Sequence, residues 1–361
     1  MIVLGCDPHK RTLTCGAVVA STAAARGVRS AMARVEGFAV LLVWARSLGS
    51  ERVWAMEDVR HVSGRFERFL VARGERVVRV APKLMAATRR SARTRGKSDQ
   101  IDAIAVARAA IREGIAMLPT ARLDERALEL RLLLDHRDDL VAARTRDQCR
   151  LRWHLHDLDS SFHVPGRALD RPIWWQRIQA RLQREPAGVR VEIARELLEQ
   201  IRRQTSRISE LEAELDRRVR DYAPQLLAER GCGALTAAKL IGEIAGVERF
   251  ATDAKLARNA GSAPIPASSG NSTRHRLDRG GNRQLNCALH RLAVNKGLWD
   301  PESAAYLARK QAEGKTRKEA LRCLKRHLAR RVYKLLRTRP VTTDPTIAIR
   351  CNTPTHALAL T

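Results

Sequence analysis

The sequence lacks a hydrophobic run long enough to cross a membrane. Its longest apolar stretches, such as residues 38–45, are far shorter than the roughly 20 residues that a membrane-spanning helix needs. The apolar start of the chain is interrupted by Asp7, His9 and Lys10 before a signal-peptide core of usual length can form. We therefore expect a protein that stays in the cytoplasm.

Cysteine motifs are scarce as well. The chain has seven cysteines, an odd number, and no C-x-x-C pair. His154 and His156 stand two residues apart without a cysteine nearby, so the spacing of a structural zinc site is missing. We expect reduced cysteines that serve mainly as small packing residues, and no tight metal–thiolate site.

Acidic residues are too few to balance the basic ones. The chain of 361 residues has 67 Lys and Arg against 39 Asp and Glu, a formal charge of +28, and 44% of its residues are apolar. This apolar share is typical of a globular protein, so the surplus cations must lie on folded surfaces. Such a surplus repels itself unless a polyanion neutralises it, and a phosphate backbone is the usual polyanion. Composition therefore favours nucleic acid over an acidic membrane as the partner.

The first third of the sequence has the pattern of a mixed α/β layer domain. Early apolar runs are joined by short turns, and later runs alternate with helical patterns, up to a limit near Pro119. The runs predict strands at residues 2–6, 14–20, 29–35, 52–57 and 76–80, and helices at residues 37–48 and 63–73.

From Asp124 to about Leu227 the pattern becomes almost wholly helical. The second long helix carries apolar residues at heptad-like spacing, with Gln204 at one position of the seam. Two such helices suit an antiparallel hairpin within the chain and a dimer equally well. The apolar residues are Leu197, Ile201, Ile208, Leu211 and Leu215.

Beyond this region, the pattern predicts short helices separated by two distinctive loops. Residues 231–233 (GCG) suit the turn of a helix-hairpin-helix, which presents backbone N–H groups to a phosphate. Residues 261–273 form a Pro/Ser/Gly-rich loop, followed by basic residues and GGN at 280–282. A last amphipathic helix is expected at 316–337, and the Pro/Thr-rich tail from Thr338 is expected to be disordered.

Four carboxylates in the first domain suggest a metal site. Asp7 and Glu57 end two predicted strands, and Asp99 and Asp102 are three residues apart, on one face of a helix. Clustered carboxylates repel one another unless a cation neutralises them, and hard Mg²⁺ or Mn²⁺ prefers such oxygen ligands. Each acid taken singly has an ordinary explanation, as a strand-end acid or as a helix N-terminal acid beside the dipole. Taken together, their order favours the metal site.

A basic segment precedes Asp99 and contains no acidic residue. Such a segment can be a solvated loop, but beside a carboxylate site it is also what would guide a phosphate backbone. We predict nucleic-acid contacts from Arg89, Arg90, Arg93, Arg95 and Lys97.

Four motifs together resemble the DEDD transposases of bacterial insertion sequences, specifically the insertion-sequence-110 family. The motifs are CDPHK (6–10), AMED (55–58), GKSDQIDAIAVARA (96–109) and HRLDRGGNRQLNCALH (275–290), and the resemblance covers roughly residues 1–337. It implies an RNase H-like domain similar to RuvC, in which Asp7, Glu57, Asp99 and Asp102 bind a divalent metal. This chain departs from the family after its Glu, because Asp58 follows Glu57 where a Gly-Ser-Tyr-like stretch is usual.

The resemblance also implies a serine that attacks DNA, in a Ser-Gly pair after a G-x-x-P segment. Here Ser269, just before Gly270, matches best, and Ser268 is the rival. From the residues alone, a loop serine is usually only a turn former. Basic residues of the same region are further predicted contacts to nucleic acid: Arg274, Arg276, Arg279 and Arg283.

The partners that the resemblance implies are DNA at the element ends and target, and a non-coding bridge RNA. It also implies central helices that join protomers as a coiled coil, a dimer or tetramer with composite active sites, and association with the nucleoid. The resulting division is an RNase H-like domain (1–118), a helical coiled-coil region (119–226), a mainly helical C-terminal domain (227–337) and a tail (338–361).

The expected activity is transposition through serine-linked strand exchange, with Mg²⁺ or Mn²⁺ as cofactor. Two alternatives remain open from the sequence. One is a RuvC-like junction resolvase or nuclease that cuts with activated water and never rejoins. The other is a non-catalytic nucleic-acid scaffold in which the acidic quartet is dispensable.

Overall fold

The computed structural model describes residues 1–57, 60–81, 84, 98–268, 275–276, 278 and 280–338. Asp58 and residues 339–361 of the predicted tail lie outside the described residues.

The N-terminal part is a five-stranded sheet with helices on both faces. Its strand order is β3-β2-β1-β4-β5; β1, β2 and β3 are antiparallel neighbours, whereas β4 runs parallel to β1 and β5 parallel to β4. The strands are β1 (Ile2–Pro8), β2 (Thr12–Val19), β3 (Ala25–Met32), β4 (Arg52–Glu57) and β5 (Val77–Val80), and the helices are α1 (Val35–Ser47), α2 (Arg60–Val71) and α3 (Asp99–Glu113). The predicted mixed α/β layer is confirmed.

Strand β3 was placed too late in the sequence-based prediction, which gave residues 29–35. The strand runs from Ala25 to Met32, and α1 already begins at Val35. The chain turns tightly between them, because a Cβ on Gly37 would lie 2.0 Å from the carbonyl oxygen of Met32. β3 is an exposed edge strand that is held mainly by its backbone pairing with β2, so it lacks a buried face that the sequence could reveal.

Alternating side chains of the sheet enter two separate cores. One face, with Leu4 and Trp54, packs under α1 and α2, where Trp54 contacts Phe66 of α2. The other face, with Val3, Val53 and Val78, packs under α3. Residues 119–121 continue this layer, since Thr120 bridges to Val78 and the backbone N–H of Ala121 donates to Val77.

Helix α3 approaches the sheet closely because glycines lie beneath it. Gly5 on β1 and Gly16 on β2 are register partners, and a Cβ on Gly5 would lie 2.1 Å from the carbonyl oxygen of Ala103. Only hydrogen atoms at these positions leave room for the helix backbone. The two glycines therefore let the middle of β1 and β2 lie directly against the backbone of α3 at Ala103.

We expect Gly5→Ala to lower the free energy of unfolding by about 3 kcal/mol or more, at the upper end of typical overpacking costs. The obstructing atoms belong to the helix backbone, which cannot move away as a side-chain end can. Gly64→Ala is the matched control, because its Cβ would meet only the end of the Arg68 side chain at 3.4 Å. Chemical denaturation of both variants should show a loss for Gly5→Ala alone; equal effects would contradict the close contact.

The remaining helices form a long hairpin and a C-terminal cluster. They are α4 (Glu125–Leu158), α5 (Pro172–Gln183), α6 (Val189–Tyr222), α7 (Pro224–Leu227), α8 (Ala234–Ile244), α9 (Asp253–Asn259), α10 (Arg283–Trp299), α11 (Pro301–Ala312) and α12 (Arg317–Arg337). Single 3₁₀ turns occur at Ile115–Met117, Ala168–Asp170 and Val247–Arg249. Two two-residue strands, β6 (Ile265–Pro266) and β7 (His275–Arg276), pair antiparallel.

Helices α4 and α6 pack against each other as an antiparallel hairpin within the chain. Arg218 pairs with Glu129 near one end (2.6 Å), and the Gln204 amide donates to Asp147 further along (2.8 Å). The five predicted heptad residues of α6 are all buried. The intramolecular alternative is thus confirmed for these helices, and a coiled coil that joins protomers stays a prediction.

The C-terminal core includes both helices of the hairpin at one end, where α4 begins and α6 ends. Leu130 of α4 and Val219 of α6 belong to the same buried cluster as Leu240, Leu289 and Leu328 of the later helices. As predicted, α12 docks on this core through one face. None of the described helices is long and apolar enough to span a membrane.

Candidate active site

Asp7 and Glu57 lie side by side at one edge of the sheet. β1 and β4 are parallel, and their register pairs Cys6 with Met56, so the next residues along are Asp7 and Glu57. By strand alternation both belong to the sheet face that packs under α3, with Val3 and Val53. The two predicted strand ends that carry these acids are thus neighbours in one sheet.

The first turn of α3 supplies two more carboxylates to this edge. Ser98 caps the helix by accepting from the backbone N–H of Ile101 (3.3 Å), which fixes where the helix begins. Asp99, the first residue of the helix, is exposed, whereas Asp102 is buried, with 6% of its surface exposed. The charge of Asp102 acts directly on Asp7.

His9 completes the closest group of potential ligands. Its Nε2 lies 3.2 Å from Oδ2 of Asp7 and 3.4 Å from Oδ1 of Asp99. One ligand atom from each of these three residues lies within 4.8 Å of the other two, a spacing that one metal ion can bridge. Among the described residues, this is the only such group of three His, Cys, Asp or Glu side chains.

His9 is not among the site residues predicted from the sequence. The signal that could have found it is the CDPHK motif itself, in which His9 follows Asp7 by two residues. Its position depends on the turn after β1, where the His9 backbone N–H donates to the Thr12 carbonyl (2.9 Å), and no periodicity reports that turn.

Burial raises the pKa of Asp7 above its ordinary value. His9 opposes this shift, whereas the negative charges of Asp102 and Asp99 reinforce it. The raised pKa shows that the ionised form of Asp7 is held at a cost. A divalent cation would remove that cost, because it neutralises the carboxylates that repel one another.

The raised pKa of Asp7 predicts how stability changes with pH without a divalent cation. Between the ordinary pKa and the raised one, the folded chain binds more protons than the unfolded chain, so Asp7 stabilises less as pH rises. We expect Asp7→Asn to gain stability relative to the native chain as pH rises through that interval. Urea unfolding at a series of pH values measures this, and Asp216→Asn on α6 controls for the loss of one charge. A relative loss of stability for Asp7→Asn would contradict the interpretation.

Ser268 and the predicted serine loop lie in the C-terminal part. Ser268 is exposed two residues beyond β6, the short strand that pairs with β7. Ser269, Arg274 and Arg279 lie outside the described residues.

The base of this hairpin is tightly fixed. A Cβ on Gly281 would lie 2.2 Å from the backbone nitrogen of Gly261, so the GGN segment and the start of the G-S-A-P segment lie in direct contact. Asn282 caps α10 with its side-chain oxygen and donates through its amide to the buried Glu243 (2.6 Å). Asn286 donates to the carbonyl oxygens of Ala260 (2.7 Å) and Gly261 (3.2 Å). The described ends of this loop are therefore held against each other and against α10.

The predicted nucleic-acid contacts are only partly covered by the described residues. Arg276 on β7 and Arg283 at the start of α10 are both exposed. The basic segment before Asp99 lies outside the described residues, which includes Arg89, Arg90, Arg93, Arg95 and Lys97.

Comparison with known families gives two matches along the chain. Residues 4–158 match the sequence model of the DEDD transposases of IS110 elements, described as a transposase. Residues 223–308 match a second model, described as the transposase IS116/IS110/IS902 family. The first match includes all four predicted carboxylates, and the second includes the serine loop and the GGN segment.

Three curated proteins of insertion elements are similar to this chain. The IS110 43.6 kDa protein of Streptomyces coelicolor is 29% identical over 290 residues, 67% of this chain and 71% of that protein. The IS900 42 kDa protein of Mycobacterium paratuberculosis is 27% identical over 342 residues, 81% of this chain and 84% of that protein. The IS116 44.8 kDa protein of Streptomyces clavuligerus is 27% identical over 331 residues, 79% and 82% respectively.

Proposed function

Because the chain belongs to the IS110 family of insertion-element transposases, we propose that it cuts and rejoins DNA through a divalent-metal site and a serine-linked intermediate. The observation that carries the metal site is the convergence of Asp7, Asp99 and Asp102 at one sheet edge. These residues come from β1 and α3, which are more than 80 residues apart in sequence. Acids that only end a strand or begin a helix would not be expected to cluster in this way, because their negative charges repel one another.

The donor set fits a hard divalent cation such as Mg²⁺ or Mn²⁺. Asp7 and Asp99 would hold it, Glu57 and Asp102 would complete the carboxylates around it, and His9 already contacts both holding acids. When bound, the cation stabilises negative charge on the attacking and leaving oxygens of a phosphodiester. The sheet order β3-β2-β1-β4-β5, with α3 across the acidic edge, supports an RNase H-like interpretation of residues 1–118.

The serine step belongs to the C-terminal domain, proposed as residues 227–337, with Ser269 as nucleophile. Its hydroxyl oxygen would form a bond to phosphorus while the bond to the departing strand oxygen breaks, and the serine proton passes to that oxygen. The reverse attack by a DNA hydroxyl frees the serine and restores a phosphodiester, so rejoining needs no ATP. The firm support under the loop suits a nucleophile that must be held in place.

The partners proposed with this chemistry are DNA, a non-coding bridge RNA, and further copies of the chain in a dimer or tetramer. The RNA and the oligomer rest on the family resemblance. The charge of +28 supports only the affinity for polyanions.

The test is a reaction on labelled DNA that contains an element end, with Mg²⁺ and with or without the transcript of the flanking non-coding region. We expect cut and rejoined products, a DNA-linked form of the protein, and dependence on the transcript. A resolvase would give cut ends only, and a scaffold would give neither product. Rejoining that is unaffected by the transcript or by ribonuclease would contradict RNA guidance and leave the strand chemistry standing.

A further inference from the structure

A cleft of about 920 Å³ separates the N-terminal layer from the C-terminal helices. One wall is formed by α2 and by Ala81 and Leu84 after β5, and the opposite wall by α4, α9 and the start of α10. Two contacts join α9 to the N-terminal layer beside the cleft. Arg258 pairs with Glu113 (3.2 Å), and Lys255 Nζ donates to the carbonyl oxygen of Ala116 (2.6 Å).

Basic side chains reach this cleft from four helices. They are Arg65 and Arg68 of α2, Arg131 of α4, Lys255 and Arg258 of α9, and Arg283 of α10. Within the part of the chain that the structure describes, Arg65, Arg68 and Arg283 form no ion pair, and all three are exposed. Because these three arginines lie on both walls, the cleft has an excess of positive charge.

The four described acidic residues that line the cleft do not cancel this charge, because the six basic helix residues outnumber them and two of the acids are already paired with a cation of the protein. Glu113 is paired with Arg258, Asp135 with Lys239 (3.1 Å), and Glu243 accepts from Asn282. Asp278 accepts from the backbone N–H of Gly280 (2.8 Å). The ligand that fits is therefore an extended anion that touches both walls.

The cleft begins at the same sheet edge as the carboxylate group. Ala81 and Leu84 line it and directly follow β5, and the carboxyl ends of the parallel strands β1, β4 and β5 share one edge. β5 is two strands away from β1, which corresponds to about 10 Å. A strand held in the cleft would thus pass close to Asp7 on its way to the GGN segment.

We propose that this cleft binds the phosphodiester backbone of a nucleic-acid strand and guides it from the metal site to the serine domain. The proposal rests on the proposed function and adds a binding surface made of α2, α9 and α10 residues. No described residue that lines the cleft is aromatic, so bases have no side chain on which to stack. The cleft therefore reads the backbone and tolerates many sequences.

The test measures how the binding affinity of the full chain depends on salt. The slope of log K against log salt is negative. Each phosphate contact that is lost makes this slope shallower, by roughly 0.9 for duplex DNA and roughly 0.7 for a single strand. We expect Arg65→Gln/Arg68→Gln to reduce the magnitude of the slope by about 1.5 to 2 on duplex DNA, or by about 1.4 on a single strand. Duplex DNA, single-stranded DNA and an RNA hairpin of equal length form the three arms, and the arm with the largest fall identifies the bound strand.

The matched control is Arg26→Gln/Arg29→Gln. It removes two exposed arginines from β3, the edge strand on the other side of the sheet from β5. Its slope should stay that of the native chain. Arg283→Gln on the far wall should reduce the magnitude of the slope by about one on the same nucleic acid. Unchanged slopes in all three arms, a fall no larger than in the control, or no effect of Arg283→Gln would each overturn the proposal.

Melting temperatures verify folding, and the single variant Arg65→Gln replaces the double variant if the latter unfolds. Asp7→Asn separates this proposal from the proposed function. It should keep the native salt slope while losing strand cleavage. If Asp7→Asn still cuts DNA, the proposed metal-site function is wrong. The salt-slope experiment then still tests whether the cleft binds nucleic acid.

Discussion

Asp7→Asn should reduce Mg²⁺-dependent strand cleavage at least about 100-fold, because even the mutation of a residue that only hydrogen-bonds to a metal ligand typically reduces metal affinity or activity by about 10–100-fold. Asn keeps the shape of Asp7 but removes the charge that faces Asp99, Asp102 and His9. The variant should fold, since Asp7 is held at a cost when ionised. Cleavage of labelled DNA by purified native and variant chains, at several Mg²⁺ concentrations, measures the effect.

Two observations make this prediction specific. Native chain should gain melting temperature when Mg²⁺ or Mn²⁺ is added, since a ligand that binds only the folded state stabilises it, and Asp7→Asn should gain little. Asp216→Asn, a change at a half-buried position on α6, should cut DNA like the native chain. Native-like cleavage by Asp7→Asn would remove the catalytic role of the acidic group and favour the scaffold alternative.

The geometry of the proposed metal site was largely predictable because simple rules govern it. β4 lies at residues 52–57 as the sequence predicted, and parallel strands bring their carboxyl ends to one edge, so Asp7 and Glu57 had to be neighbours once β1 and β4 paired. The spacing of Asp99 and Asp102 placed both at the start of α3. What the pattern did not contain was the distance of α3 from the sheet, which depends on Gly5 and Gly16 meeting its backbone.

Other features depend on information that a linear pattern lacks. The heptad spacing of α6 is the same for a hairpin and for a dimer, and only the packing of α4 against it distinguishes them. The start of β3 is set by backbone pairing with β2, because an edge strand exposed on both faces needs no apolar alternation. The cleft is formed by residues from distant segments, so the basic residues Arg65 and Lys255 look like ordinary surface charges in the sequence.

Ser269→Ala should abolish the covalent link between protein and DNA, because only a hydroxyl at the right position can form the phosphoserine. A labelled suicide substrate, whose departing strand is too short to rejoin, traps the link on a denaturing gel. We expect the native chain and Ser268→Ala to form it, and Ser269→Ala to lose it completely. Ser268 is the natural control, since it is the adjacent hydroxyl and lies exposed beside β6.

The pattern of losses decides between mechanisms. Loss only in Ser268→Ala would transfer the nucleophile to that residue and keep the serine mechanism. A link that survives both substitutions would exclude the Ser-Gly pair, and mass spectrometry of the linked peptide would then locate the attacking residue. Cutting without any link, in the native chain as well, would mean that water is the nucleophile. The acidic group of Asp7 and Asp99 would then act as a resolvase site, for which cutting is the whole reaction.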